Sequence, residues 1–249
     1  MYELILQMDD LLKDSWNNTN DPTSKQIKQR IEKAGGKYFC NDNITEYLKD
    51  GDIEKLTTEV QEKVQSLIDS LVIDSRKDHN TQRTAERVAK MFITEIFSGR
   101  YETLPKITSF PNVLDYDQLY TTGPIAIRST CAHHMQPIVG KCYIGVFPGK
   151  HVIGLSKFNR IVRWIVQRPQ IQEEMTMQIA DKLEEITKAE GIGVVIKAEH
   201  MCMTHRGVLE HESDMTTSIV RGKLRDVETI KQEFFTLLQG MKGFTNGSK

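Results

Sequence analysis

The sequence predicts an α+β domain, an antiparallel sheet with helices on one face, preceded by N-terminal helices. Two observations carry this expectation. Up to about residue 100, apolar residues recur at steps of three and four, and after about residue 105 short runs rich in β-branched residues take over. Between the second and third of those runs lie two helical segments, and strands, two helices, then strands is the order of helices laid on one side of an antiparallel sheet.

The elements follow in order. Leu4, Ile5, Met8, Leu11 and Leu12 make a short apolar, helix-like start that runs into the polar stretch WNNTNDPTSK. KQIKQRIEKAGG reads as a short helix stopped by Gly35 and Gly36. Residues 1–50 thus form an N-terminal extension of short helices and loops, and residues 51–249 the main domain. Ile53, Leu56, Val60, Val64, Leu67, Ile68 and Leu71 form one stripe of a long amphipathic helix. Thr84 is placed to cap the next helix, Ala85 to Phe97, which would bury Val88, Met91, Phe92 and Ile96 and end at Ser98-Gly99. Pro124–Thr130, Lys141–Phe147, Val194–Met203 and Met215–Arg221 read as strands. The intervening helices carry Phe158, Ile161, Val162 and Ile165, then Met175, Ile179, Leu183 and Ile186; a last helix carries Ile230, Phe234 and Leu238.

Composition narrows the function. The chain has 249 residues, 39 % hydrophobic and 27 % charged, which excludes a wholly disordered or low-complexity protein. No apolar run approaches the roughly 20 residues of a bilayer span. A net charge of −1 supplies no general field for nucleic acid or membrane, so neither is an expected partner. The start, MYELILQMDDLLKD, has no basic segment ahead of its apolar residues and carries acids among them, which points to the cytoplasm rather than export. Four cysteines in such a chain serve more readily as ligands or nucleophiles than as bridges.

Cys131-Ala132-His133-His134 is the most informative tetrapeptide, because a thiolate and an imidazole at Cys-x-x-His spacing can share one metal ion. His200-Met201-Cys202 lies downstream, and residues two apart in a strand project to the same face. The soft ligands then add up to Cys131, His134 and Cys202, with room for one more histidine. Two thiolates and one imidazole leave a tetrahedral position open, as in catalytic zinc sites. His133 and His200 would flank it as proton carriers. The alternative is ordinary buried cysteine, which is how Cys142 reads.

Gly154-Leu155-Ser156-Lys157-Phe158-Asn159-Arg160 joins a strand end to a helix start, where free N–H groups and the helix dipole favour phosphate. Lys157, Arg160, Arg163 and Arg168 are a basic set with no acid from 152 to 172, and Arg206 follows Cys202 closely. The alternative is a solvated helix face. Gln172-Glu173-Glu174 opens the next helix; its acids are either dipole partners or a carboxylate able to accept two N–H bonds from a guanine edge.

These stretches together resemble the GTP cyclohydrolase I family. RVAKMFITEIFSG, LPKIT, STCAHH, VIGLSKFNRIV, QRPQIQEEMTMQIA and KAEHMCMTHRGV stand in the family's order and spacing. The resemblance implies a tunnelling fold, a homodecamer with active sites at subunit junctions, zinc as cofactor and GTP as substrate. It implies opening of the guanine ring at C8, release of formate and formation of 7,8-dihydroneopterin triphosphate. By the same resemblance Cys131, His134 and Cys202 match zinc ligands, and His133 and His200 match the proton-transfer pair. Glu173 matches the guanine anchor, and Gln172 and Ser156 match pocket residues. Lys157, Arg160 and Arg206 match triphosphate contacts, with Arg87 and Lys90 as additions from the earlier helix. Ala132 stands where the family usually has Glu, and Thr84-Ala85 replaces a Thr-Pro. The rival readings are a related tunnelling-fold purine or pterin enzyme and a catalytically lapsed nucleotide-binding protein.

Overall fold

The structure, a computed structural model, describes residues 21–244, and the apolar start at Leu4–Leu12 lies outside the described residues. The chain divides into two compact units, one ending at Glu95 and the other beginning at Ile96. The boundary expected at residues 50 and 51 therefore falls inside the first unit.

The first unit holds α1 (Thr23–Lys33), α2 (Asp52–Ser70) and α3 (Thr84–Lys90). Ile27 and Ile31 of α1 are buried, and Gly35, at φ 68, turns the chain after the helix as the paired glycines suggested. The α1 start is tied to α2 by Ser24, whose backbone N–H and hydroxyl both donate to the Glu59 carboxylate, at 2.9 and 2.5 Å. Arg30 pairs with Asp52. Along α2 the expected stripe is only partly covered: Leu56 and Ile68 are buried, while Leu67 and Leu71 are exposed. Thr84 is the first helical residue of α3, and Arg83 occupies the cap position without a side-chain cap bond. The helix then widens into π-type turns over Met91–Ile96. Its buried residues in this unit are Ala85, Ala89 and Ile93, at steps of four, instead of Val88, Met91 and Phe92. The i, i+4 row Ala85, Ala89 and Ile93 faces inward, and its two alanines carry too little apolar surface to stand out beside Val88, Met91 and Phe92.

The second unit begins with α4 (Ser98–Tyr101), so the chain stays helical past the expected stop. Gly99 is needed there for another reason: a Cβ would collide with the Trp164 carbonyl. The strands are β1 (Ser109–Pro111), β2 (Tyr120–Cys131), β3 (Pro137–Phe147), β4 (His151–Ile153), β5 (Pro169–Gln170), β6 (Gly191–His200) and β7 (Met215–Gly222). The helices are α5 (Leu155–Val166), α6 (Gln172–Thr187), α7 (Met201–Thr204), α8 (Lys223–Asp226) and α9 (Glu228–Gln239). A five-stranded sheet runs β5-β2-β3-β6-β7, antiparallel except for the short β5–β2 pair. β1 and β4 form a separate two-stranded ribbon.

Alternation along the strands builds two cores. Ile125, Ile127, Ile138, Cys142, Ile144, Val194 and Ile196 face Phe158, Ile161, Ile165, Met175, Ile179 and Leu183, so α5 and α6 cover one face of the sheet as expected. The last helix is the exception. Phe234 and Leu238 of α9 pack with Tyr143, Phe147 and Val195, the residues of opposite parity, and so cover one end of the other face. Gly145 and Gly193 sit directly opposite each other on β3 and β6 beneath the Phe234 ring. A Cβ at Gly193 would stand 2.7 Å from that ring.

Gly193→Ala should therefore destabilise the protein by about 1–3 kcal/mol, the usual cost of overpacking. The drop in urea midpoint should shrink when the substitution is made in a Phe234→Leu background. An equal drop in both backgrounds would mean that the ring is not what the glycine accommodates.

Candidate functional site

The register of the sheet brings the predicted ligands to one edge. Thr130 pairs with Pro137, and Ile138 pairs with His200, so the end of β2 and the end of β6 flank the start of β3. The β2–β3 turn is tight: the Cys131 N–H donates to Gln136 O at 2.8 Å and the Met135 N–H to Cys131 O at 2.9 Å. Met135 takes a left-handed φ of 53° to close it, a conformation that costs a non-glycine residue and recurs at functional sites. On its other side the turn is clamped by β5, where the Ala132 N–H donates to Gln170 O at 3.2 Å.

Cys131, His134 and Cys202 converge so that their ligand atoms all lie within 4.8 Å of one another. Around a dication bound by thiolate and imidazole at 2.0–2.3 Å, tetrahedral ligand atoms stand roughly 3.4–3.8 Å apart, so this set fits a transition-metal ion after small adjustments. Cys131 is buried, Cys202 half-buried and His134 exposed. Cys202 reaches the site differently from the expectation. β6 ends at His200 and Cys202 lies in the helical turn α7, so it does not share a strand face with His200. Burial and the adjoining Cys131 thiol push the Cys202 thiol up, while the Arg206 guanidinium pulls it down. A dication between the two sulfurs would favour both thiolates.

The other histidines of the motif stand beside this group. His133 Nδ1 lies 4.0 Å from Cys131 Sγ. Burial pushes the His200 imidazole below its ordinary value, and the Glu173 carboxylate pulls it partway back. His200 Nε2 lies 2.8 Å from Gln172 Oε1. Gln172 is 0 % exposed, and its amide nitrogen donates toward Ile196 O, Met215 O and Thr217 Oγ1. Thr176 and Thr217 extend that network; neither was singled out in the sequence, because Thr217 reads only as a strand residue and its partners are far away in sequence. His205 and His211 are exposed and outside the ligand group.

The basic set separates. Arg206 lies close enough to Cys202 for its charge to act on that thiol. Ser156, Lys157 and Arg160 do not join it. Residues Val166 to Gln170 lead straight from the C-terminus of α5 to the strand paired with Cys131, which places that end of α5 near the ligands. The twelve-residue helix puts its N-terminus about 18 Å further along. Agreeing with this, the Glu190 N–H bonds Phe147 O at 3.0 Å, placing the far ends of β3 and α6 together, on the side from which β4 and α5 start. Arg168 leaves the set altogether. It is 5 % exposed, donates to Gly99 O at 3.0 Å and lies over the Trp164 ring at 4.0 Å, so it is part of the core. Arg87 and Lys90 are exposed on α3, in the first unit.

Purified protein should carry roughly one transition-metal ion per chain. Cys131→Ala, His134→Ala and Cys202→Ala should each remove most of it. Elemental analysis finding a full complement in all three variants would exclude this metal centre.

A family model described as GTP cyclohydrolase I matches residues 60–239. A protein named GTP cyclohydrolase 1 from Haemophilus ducreyi is 36 % identical over 216 residues, which span 86 % of this chain and 96 % of that one. Proteins of the same name from Flavobacterium johnsoniae and Yersinia enterocolitica are each 39 % identical, over 75 % and 74 % of this chain and 82 % and 83 % of theirs. The matched span takes in the Cys-x-x-His turn, the β6–α7 junction and the helix that opens at Gln172; this chain belongs to the GTP cyclohydrolase I family.

Proposed function

We propose that this chain is a zinc-dependent GTP cyclohydrolase I, which hydrolyses the guanine ring of GTP at C8, releases formate and closes the remainder into 7,8-dihydroneopterin triphosphate. The carrying observation is the meeting of Cys131, His134 and Cys202 beside two further histidines, in a chain of this family. Zinc held by those three residues would supply a water nucleophile at neutral pH and act as a Lewis acid.

The chain's own residues do the rest. His133, beside Cys131, and His200, two residues before Cys202, carry protons to and from the ring as its bonds break. A lowered His200 affinity for protons suits a group that must be neutral in one step and charged in the next. Glu173, at the first turn of α6, accepts two N–H bonds from the guanine edge and holds C8 toward the ligands. Arg206 takes one end of the triphosphate. Ala132 lacks the carboxylate usual at its position, a kind of loss that typically costs about 10–100-fold in rate or affinity and leaves the ligands and both histidines in place.

Ser156, Lys157 and Arg160, at the far end of α5, serve a site belonging to another copy of the chain. A helix N-terminus bearing a lysine and an arginine suits the rest of the triphosphate, and its distance from its own Cys131 calls for a neighbour. The working form is therefore a homo-oligomer, a decamer by analogy with the family, acting in the cytoplasm.

Incubation with GTP should release formate and, after oxidation, a fluorescent pterin; zinc-loaded protein that releases neither refutes the reading. Glu173→Gln should lower kcat at least about tenfold with zinc retained, since an amide cannot accept both guanine N–H bonds with a full charge. The shared site has its own test. His133→Ala and Arg160→Ala should each be nearly inactive, yet co-assembled in equal amounts they should recover up to about a quarter of the wild-type rate, the chance that one site draws both intact halves. No recovery in confirmed mixed oligomers would place both residues in the same chain's site.

A further inference from the structure

We infer that Gln172 is a positioning residue that holds His200 in its Nε2–H form, so that Nδ1 is the ring nitrogen that exchanges a proton with the substrate. This rests on the reading of His200 as a proton carrier.

The argument is one of hydrogen-bond polarity. Gln172 opens α6, His200 ends β6, and Thr217 lies on β7, so three elements meet at this amide. Gln172 Nε2 lies 3.2 Å from Ile196 O, 2.9 Å from Met215 O and 3.1 Å from Thr217 Oγ1. Two of those three are backbone carbonyls, which only accept. Turning the amide over would set its oxygen against both of them in a fully buried place, so the NH₂ group belongs there. The threonines agree. The Thr176 hydroxyl donates to Gln172 O at 2.7 Å, which spends its single proton. At 2.6 Å from it, the Thr217 hydroxyl must then be the donor to Thr176, leaving a Thr217 lone pair for the Gln172 amide.

With the NH₂ group fixed, Oε1 faces His200 Nε2 at 2.8 Å. An amide oxygen cannot donate, so the proton of that bond resides on Nε2 whether the ring is neutral or charged. Nδ1 has no protein partner among the described residues and is the nitrogen left for chemistry. Gln172 itself, buried and with both amide protons engaged, reaches the substrate only through His200.

Three measurements decide the matter. Neutron diffraction from deuterated, zinc-loaded wild-type protein should show deuterium on His200 Nε2; a bare Nε2 overturns the inference and needs no variant to fold. Gln172→Met keeps the length of the side chain and removes the acceptor. With zinc content unchanged, kcat should fall by between about tenfold and 10⁴-fold, the span from a lost supporting bond to a wrong tautomer, while KM for GTP stays within about twofold. A raised KM with kcat intact would make Gln172 a substrate contact and overturn the positioning role. His200→Ala separates the two levels: full activity there refutes the proton-carrier reading, whereas an inactive His200→Ala beside a fully active Gln172→Met refutes the Gln172 inference alone.

Discussion

The site depends on the register of β3 between β2 and β6. Pro137 opposite Thr130 and Ile138 opposite His200 bring the ends of two strands, separated in the sheet by a third, to the same edge. Cys131 leaves one of those ends and Cys202 follows the other. A slip of one residue would exchange the faces of every β3 side chain, sending Ile138, Cys142 and Ile144 out of the core. Burying the apolar face and bringing the candidate metal ligands together are thus one constraint. The same face carries α5 and α6, and α6 begins beside the ligands with Gln172 and Glu173 in its first turn.

Around that edge, polar groups are buried only where they are matched. The amide of Gln172 spans α6, β6 and β7 and ends on His200, and Arg168 satisfies Gly99 O while stacking on Trp164. Such groups are costly to bury unpaired and, once paired, hold their neighbours in one arrangement. His200 is consequently oriented by the fold itself. Ser156, Lys157 and Arg160 have the opposite character. They stand at the start of α5, at the far end of the sheet from the Cys131, His134 and Cys202 group.

Much of the fold was legible in the residues. The helices of the 3.6 rhythm lie where it put them: Phe158, Ile161, Val162, Ile165, Met175, Ile179 and Leu183 are buried, and Ile186 is half-buried. Strand existence followed from β-branched runs, but strand ends did not. β6 stops at His200, three residues before the apolar run ends, because the chain turns helical to carry Cys202 back toward Cys131. The burial of Ala85, Ala89 and Ile93 was missed because the larger apolar residues Val88, Met91 and Phe92 marked a neighbouring row of the same helix. The repeat Ile230, Phe234 and Leu238 marked α9 as a helix but not its place, the opposite face from α5 and α6, since nothing in an amphipathic repeat says which face of a sheet it meets.

What the sequence determined by itself was chemical: which side chains have the chemistry to bind a thiophilic metal, to exchange protons or to pair with phosphate, and which stretches alternate at the period of a helix or a strand. Those properties belong to residue types and short spacings. Only the tertiary structure decided which of them meet. It joined Cys202 to Cys131 and His134 across a sheet, drew Gln172 into contact with both His200 and Thr217, took Arg168 into the core and left Lys157 and Arg160 at the other end of α5. The physical reason is that these relations span dozens of residues and are set by strand register and helix packing, which depend on the whole apolar face being buried at once.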